Sequence, residues 1–313
     1  MFSRIAVRNF SKSAIMANAI KNVTVIGSGL MGGGVAQTFT FRLAAQTGHN
    51  VVMVDVDDGV LSKAHERIST SMKRVAKKKF GDSQEEANKF VSDSLSRLTT
   101  STDSTASVKN ADLVVEAIVE NIDIKQKLFK QLDEAAPEHT IFASNTSSLS
   151  IQKIAQNVKR KDRFGGLHFF NPVPVMKLLE VIRIPETSQA TIDSMLAWGK
   201  AMGKVTVQCK DTPGFIVNRL LVPYQGEALR MYERGDASIK DIDTAMKLGT
   251  GYPMGPFELS DYVGLDTLLF IIEGWAKDYP DEPLFKVPES LRKLVSEGKL
   301  GVKSGEGFYK YNK

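Results

Sequence analysis

Cysteine is almost missing from this chain of 313 residues: the one thiol, Cys209, leaves no intrachain disulfide framework and no cysteine-cluster zinc site. Four histidines, His49, His65, His139 and His168, have neither HxxxH nor HExxH spacing, so no metal centre is expected. No apolar run approaches the roughly 18 residues that a bilayer span requires, which excludes an integral membrane protein. Acid is missing from one stretch: no Asp or Glu precedes Asp55.

In that stretch Arg4, Arg8 and Lys12 stand in the opening MFSRIAVRNFSKSAIMA. It is basic and serine-containing, and can array apolar residues on one helical face, as a mitochondrial transit peptide does. Residues 1–17 are expected to be one, with the mature protein in the matrix. Removing those three charges lowers the net charge from +5 to +2. The body is therefore no general polyanion binder, and no nucleic-acid partner is expected.

The body opens with KNVTVIGSGLMGGG. Val23 to Ile26 read as a buried strand running into a glycine turn and a helix. Gly27, Gly29 and Gly32 fit G-x-G-x-x-G, with Ser28, Leu30 and Met31 between them. The first glycine makes the tight turn, the second admits a pyrophosphate, and the third brings helix against strand. The pyrophosphate is then met by free N–H groups at a helix N-terminus. A second strand, NVVMVD, ends at Asp55, 23 residues past Gly32 and near the spacing that puts a carboxylate on a ribose 2′-hydroxyl. Such an acid repels a 2′-phosphate and favours NAD as cofactor.

Strands and helices keep alternating. DLVVEAIVE, TIFASNTSS, FGGLHFF, KLLEVIRI and KVTVQCKD read as strands, with helices near 122–136, 149–158 and 188–203. The class is α/β: a doubly wound, mostly parallel Rossmann-type sheet. After Asp211 only helical periodicity remains, so an all-α domain is expected over 211–313 and the dinucleotide domain over 18–210. An insertion over about 59–98 reads as two long polar helices. One carries Lys73, Arg74, Lys77 and Lys78, ordinarily a solvated charged face, although lysines there would suit the phosphates of a coenzyme A ligand.

Several segments together, GSGLMG, VVEAIVEN, FASNTSSLS, GLHFFNPVPVMKLLEVI, CKDTPGFIVNRLLVPY, GYPMGPFELSDYVGLD and KSGEGFYKY, resemble the mitochondrial short-chain L-3-hydroxyacyl-CoA dehydrogenases from Lys21 to Lys313. The resemblance implies NAD-dependent oxidation of a 3-hydroxyacyl-CoA in fatty-acid β-oxidation, by a homodimer joined through its helical domain. It implies a catalytic pair, His168 and Glu180, with Ser147 and Asn218 bonding the reacting oxygen. It also places Glu120, Lys125, Ser147, Asn171 and Lys303 around NAD, and Ser71, Lys78 and Ser147 along the acyl-CoA. Read alone, His168 would be a core histidine, Ser147 a turn serine and Asn218 a helix amide. Position reverses the first reading: His168 ends a strand at the ligand crevice, and Glu180 lies on the next strand within apolar KLLEVI, where a buried acid needs a partner.

Three other functions compete: a non-catalytic NAD-binding protein, a dehydrogenase of free 3-hydroxyacids, and a phosphate-binding regulatory module. The first leaves the His–Glu pair, Ser147 and Asn218 without purpose, the second the basic insertion, and the third everything beyond the glycine turn. One departure from the family stands out. The helix after the glycine turn is about five residues longer, near Thr38–Arg42, and five residues rotate a helical face by roughly 140°. A bulge or an extruded loop is expected there.

Overall fold

The computed structural model describes residues 20–44 and 49–311, so the basic leader 1–17 lies outside the described residues. The chain divides into two compact units after Phe215. Among the described residues of the first, eight strands form one sheet in the order β3-β2-β1-β4-β5-β6-β7-β8. They are β1 Asn22–Ile26, β2 Asn50–Val54, β3 Leu98–Ser101, β4 Leu113–Glu116, β5 Ile141–Ser144, β6 Phe164–Phe169, β7 Leu178–Arg183 and β8 Val205–Lys210. Every neighbouring pair is parallel except β6 with β7. The order reverses between β1 and β4, the switch point at which doubly wound sheets open a ligand crevice.

Side chains alternate across the sheet. Val23, Val25, Met53, Val115, Leu167 and Val181 join one buried cluster, and Ile26, Val54, Val114, Phe142 and Ile182 join another. The second cluster is sealed by edge-on aromatic packing of Phe129 on Phe164, with centroids 4.7 Å apart. Helix α1, Leu30–Ala44, follows the glycine turn. The expected bulge is not found: the backbone is helical without a break through Thr38–Arg42, and residues 45–48 lie outside the described residues. Thr38 Oγ1 donates to Gly34 O one turn back, which satisfies a β-branched polar residue within the helix.

The insertion is two helices, α2 Asp58–Phe80 and α3 Gln84–Leu95. Leu61, Ala64, Ile68, Met72 and Ala76 recur every three or four residues in α2 and make its buried stripe. Asp57 caps its N-terminus by accepting from Val60 N, and Gly81 ends it at φ 56°. A short edge strand, β3, follows the insertion and was not expected from the sequence. A single helical turn, α4 Ser104–Ser107, precedes β4. Helix α5, Ile122–Ala135, falls where expected. The helix expected over 149–158 shortens to α6, Ile151–Ile154, followed by a 3₁₀ turn; α7 is Gln189–Ala201.

The second unit is helical: α8 Val217–Glu233, α9 Ile239–Thr250, α10 Pro256–Val263, α11 Leu265–Asp278 and α12 Glu289–Ser296. Its core gathers Leu229, Phe257, Leu268, Trp275 and Leu291. Two buried acids fasten its C-terminal segment. Asp261 accepts from the backbone N–H of Phe308 and Tyr309 and from the Tyr311 hydroxyl, while Asp243 accepts from Phe257 N, Glu258 N and the Tyr309 hydroxyl at 2.8 Å. Burial, then the bond to Asp243, push the Tyr309 phenol above its ordinary pKa, so it remains a donor. Tyr309→Phe is expected to cost roughly 1–3 kcal/mol by leaving a buried carboxylate one donor short. Denaturant unfolding measures it, and an unchanged midpoint would show that water replaces the phenol.

Candidate active site

Gly27 leaves β1 at φ 96° and donates to Val54 O at 2.8 Å. A Cβ there would stand 2.4 Å from Ala117 O, and one on Gly32 would stand 1.8 Å from Gly27 O. Both glycines are demanded by the chain's own packing. Gly29 differs, because no atom of the chain outside its neighbours comes within 4 Å of its absent Cβ. That open face lies where α1 presents its first N–H groups, so the residues fit a dinucleotide pyrophosphate. Asp55, just past β2, accepts from Ser28 N at 2.7 Å and from Ser28 Oγ at 2.8 Å. It thus braces the turn as well as standing where a ribose acceptor is expected.

The carboxyl edge of the sheet carries a polar row on one face. Glu116 ends β4 opposite Ser144 of β5, and Ser144 pairs with Gly166 of β6. His168, two residues on, therefore shares that face. The antiparallel register sets His168 directly across from Glu180. His168 Nδ1 meets Glu180 Oε2 at 2.7 Å, with His168 3% exposed and Glu180 fully buried. On its other side His168 Nε2 meets Ser147 Oγ at 3.0 Å. Phe170 and Phe215 pack their rings against the imidazole. The bond to Glu180 holds the ring by Nδ1 and leaves Nε2 turned towards Ser147.

Ser147 is held from below. Its backbone N–H donates to Glu120 Oε1 at 3.0 Å, and Thr146 Oγ1 donates to Glu120 Oε2 at 2.9 Å. Lys125 is 1% exposed, 2.5 Å from Glu116 and 3.5 Å from Glu120. Its ammonium is thus ion-paired in the interior. Sequence reasoning missed Glu116, and also Asn145, whose Oδ1 accepts Phe169 N and ties the end of β5 to β6. The approach of Glu120 and Lys125 to Ser147 arises from the fold and leaves no spacing motif.

A cleft of about 300 Å³ lies between α1, α2 and the segment after β6; Gln37, Arg67, Ser71 and Asn171 are among its lining residues. Ser71 accepts from Gln37 Nε2 at 2.6 Å, and Arg67 reaches back to Ser28 O at 3.3 Å. Lys78 stands exposed further along α2, with Lys73, Arg74 and Lys77. Asn218 and Lys303 belong to the second unit: Asn218 lies in the first turn of α8, and Lys303 pairs with Asp266 at 2.5 Å. Burial, and then the nearby carboxylates of Glu180 and Asp211, push the Cys209 thiol up to about 12, which rules out a thiolate nucleophile at neutral pH. Among the described residues no cluster of His, Cys, Asp and Glu is arranged to hold a metal ion, and no helix is long and apolar enough to cross a membrane.

A doubly wound sheet, a glycine cradle with one open face, and an acid at the end of the second strand define an NAD-binding oxidoreductase. Residues 22–212 match the 3-hydroxyacyl-CoA dehydrogenase NAD-binding domain, and residues 214–311 match the C-terminal domain of the same family. The chain belongs to the 3-hydroxyacyl-CoA dehydrogenase family. It is 61% identical over 292 residues to the mitochondrial hydroxyacyl-coenzyme A dehydrogenase of Homo sapiens, covering 93% of this chain and 91% of that one. It is 43% identical to a 3-hydroxybutyryl-CoA dehydrogenase of Clostridioides difficile, over 93% and 99% of the two chains. The crystal structure of (S)-3-hydroxybutyryl-CoA dehydrogenase from Ralstonia eutropha superposes with a TM-score of 0.86 at 41% identity, covering 94% of this chain and all of that one.

Gly29→Val fills the open face of the cradle without meeting protein. The variant should keep its melting temperature and bind NADH at least about tenfold more weakly, which corresponds to roughly 1.4 kcal/mol. Fluorescence titration reads the affinity. Unchanged binding would place the pyrophosphate elsewhere.

Proposed function

We propose that this chain oxidises (S)-3-hydroxyacyl-CoA to 3-oxoacyl-CoA in fatty-acid β-oxidation, with His168 as the general base. The observation that carries the assignment is the continuous line from Glu180 through His168 to Ser147 at the carboxyl edge of the sheet. The glycine turn and Asp55 would hold NAD, which would supply the hydride acceptor for the carbinol carbon. His168 Nε2 takes the hydroxyl proton. Glu180 holds the ring by Nδ1 and stabilises the imidazolium that forms, as the acid does in a hydrolase triad. Ser147 Oγ marks the place of the reacting oxygen, to which it donates a hydrogen bond. Asn218 is assigned the second donor. In the reverse direction His168 returns the proton to the carbonyl oxygen.

Around this centre, Glu120, Lys125, Asn171 and Lys303 are assigned to the cofactor side, Lys125 acting through its carboxylate partners. Ser71 and Lys78 are assigned to the acyl-CoA, the exposed lysine meeting phosphate as a point charge. The homodimer is assigned to the helical second unit. The relatives named as mitochondrial support a mitochondrial protein, and we place the mature enzyme in the matrix.

The decisive assay follows NADH consumption with acetoacetyl-CoA, with free acetoacetate as control; turnover of acetoacetate at a similar rate would move the substrate class to free hydroxyacids. His168→Gln should lower kcat by about 10²–10⁴-fold, the usual loss for a general base, while NADH and acetoacetyl-CoA still bind. Retention of a tenth of the wild-type rate would remove His168 from the role of base.

Lys78→Ala should act on KM alone, raising it several-fold for acetoacetyl-CoA at low ionic strength. A remote contact made equally in ground and transition states is uniform binding, and salt screens it. The variant should be indifferent to acetoacetyl-pantetheine, which lacks the nucleotide. Equal KM ratios on the two substrates would make Lys78 an ordinary surface charge.

A further inference from the structure

Glu116 has no assigned part in the proton or hydride path, yet it is a fully buried acid that accepts three hydrogen bonds. It is fully buried at the end of β4. Its Oε1 accepts Ile118 N at 2.7 Å and Lys125 Nζ at 2.5 Å, and its Oε2 accepts Ser144 Oγ at 2.6 Å. Ile118 and Ser144 alone would satisfy a carboxyl that anchors a strand end. Lys125 is additional, and a buried ion pair gains little stability over apolar side chains of equal volume. Its value must be sought in geometry.

The bonds continue in one direction. Lys125 Nζ lies 3.5 Å from Glu120 Oε2. The Glu120 carboxylate takes Thr146 Oγ1 and Ser147 N, and Ser147 Oγ rests on His168 Nε2. The segment spanned, residues 117–120, also walls the cofactor turn, since Ala117 O is the atom that forbids a side chain at Gly27. One buried ammonium between two carboxylates therefore sets the height of a loop that faces both the dinucleotide and the serine.

We propose that Glu116 is a positioning residue: by fixing Lys125 between itself and Glu120, it holds the Ser147 turn so that the serine hydroxyl stays on His168. This rests on the assignment of Ser147, His168 and Glu180 as the reacting set. Glu116 itself touches none of the reacting atoms.

Glu116→Gln preserves shape and, with its carbonyl oxygen towards Ile118, still accepts that N–H; its amide donates to Ser144 Oγ in place of accepting from it, and the charge that pins Lys125 is removed. The expected result with acetoacetyl-CoA and NADH is a kcat lower by about 10- to 100-fold, the scale of an ångström-sized misplacement. KM for acetoacetyl-CoA should change less than about twofold, because the cleft along α2 is untouched. The double variant Glu116→Gln/Lys125→Met removes the amine left short of a partner. Its melting temperature should return towards wild type while kcat stays low, since Glu120 then has no cation to hold it. Recovery of kcat together with melting temperature would make Glu116 a structural anchor and overturn the proposal, as would wild-type kcat in folded Glu116→Gln. Should the single variant fail to fold, the double variant carries the same comparison. His168→Gln separates the two levels: an active His168→Gln overturns the reacting set, whereas an inactive one beside a fully active Glu116→Gln overturns only the role of Glu116.

Discussion

One reversal of direction organises the reacting end of this molecule. In a sheet whose other neighbours run parallel, β7 turns back along β6, and residues of an antiparallel pair stand face to face. Parallel strands would have slanted their hydrogen bonds and set the two side chains by a different register. Here His168 and Glu180 are opposed on the same face, and backbone pairing brings their side chains within reach of the 2.7 Å contact they make. No loop has to fold to orient the imidazole. Ser147 supplies the loop-borne part, and it needs the support that Glu120 gives.

The same face of the sheet explains why so much polarity is buried there. Along β4, β5, β6 and β7 the residues within the sheet are Val114, Phe142, Phe164 and Ile182, all in one apolar cluster. At the carboxyl edge that row changes to Glu116, Ser144, His168 and Glu180, each at most 3% exposed. Unpaired groups there would each cost several kcal/mol, so every one of them is bonded to another. The network is therefore rigid by necessity, which suits the general-base role proposed for His168.

Much of this was legible in the residues. The glycine spacing, the buried β-branched strand and the acid after β2 identify the dinucleotide half, because each glycine answers a separate steric demand. The 3.6-residue stripe of α2 is equally plain. The direction of β7 was readable too: residues 170–177 are too few for a crossover, which takes a dozen or more, so only an antiparallel return is possible. Periodicity hides that, since it says which face is buried and nothing about direction. Strand β3 escaped notice because LTTS is short and polar, with one of its four residues buried. The pairing of Glu116 with Lys125 escaped for a different reason. An acid closing a strand and a lysine nine residues on, in the first turn of a helix, match no motif, and only the packing of α5 on the sheet brings them together.

The long helix after the cradle sets a family pattern against helical geometry. Five added residues would rotate the face of α1 if they entered ahead of its packed positions. Gly32, Val35, Ala36 and Thr38, all buried, lie before or at the start of the added stretch. Those positions keep their register from the glycine turn, so the extra length can be carried forward along an unbroken helix to Ala44. Strand β2 then re-enters with Val51, Met53 and Val54 buried and Asp55 on Ser28. The ribose end of the cradle is thus defined at the turn by the short hydrogen bonds from Ser28 N and Oγ to Asp55, neither of which involves the added stretch.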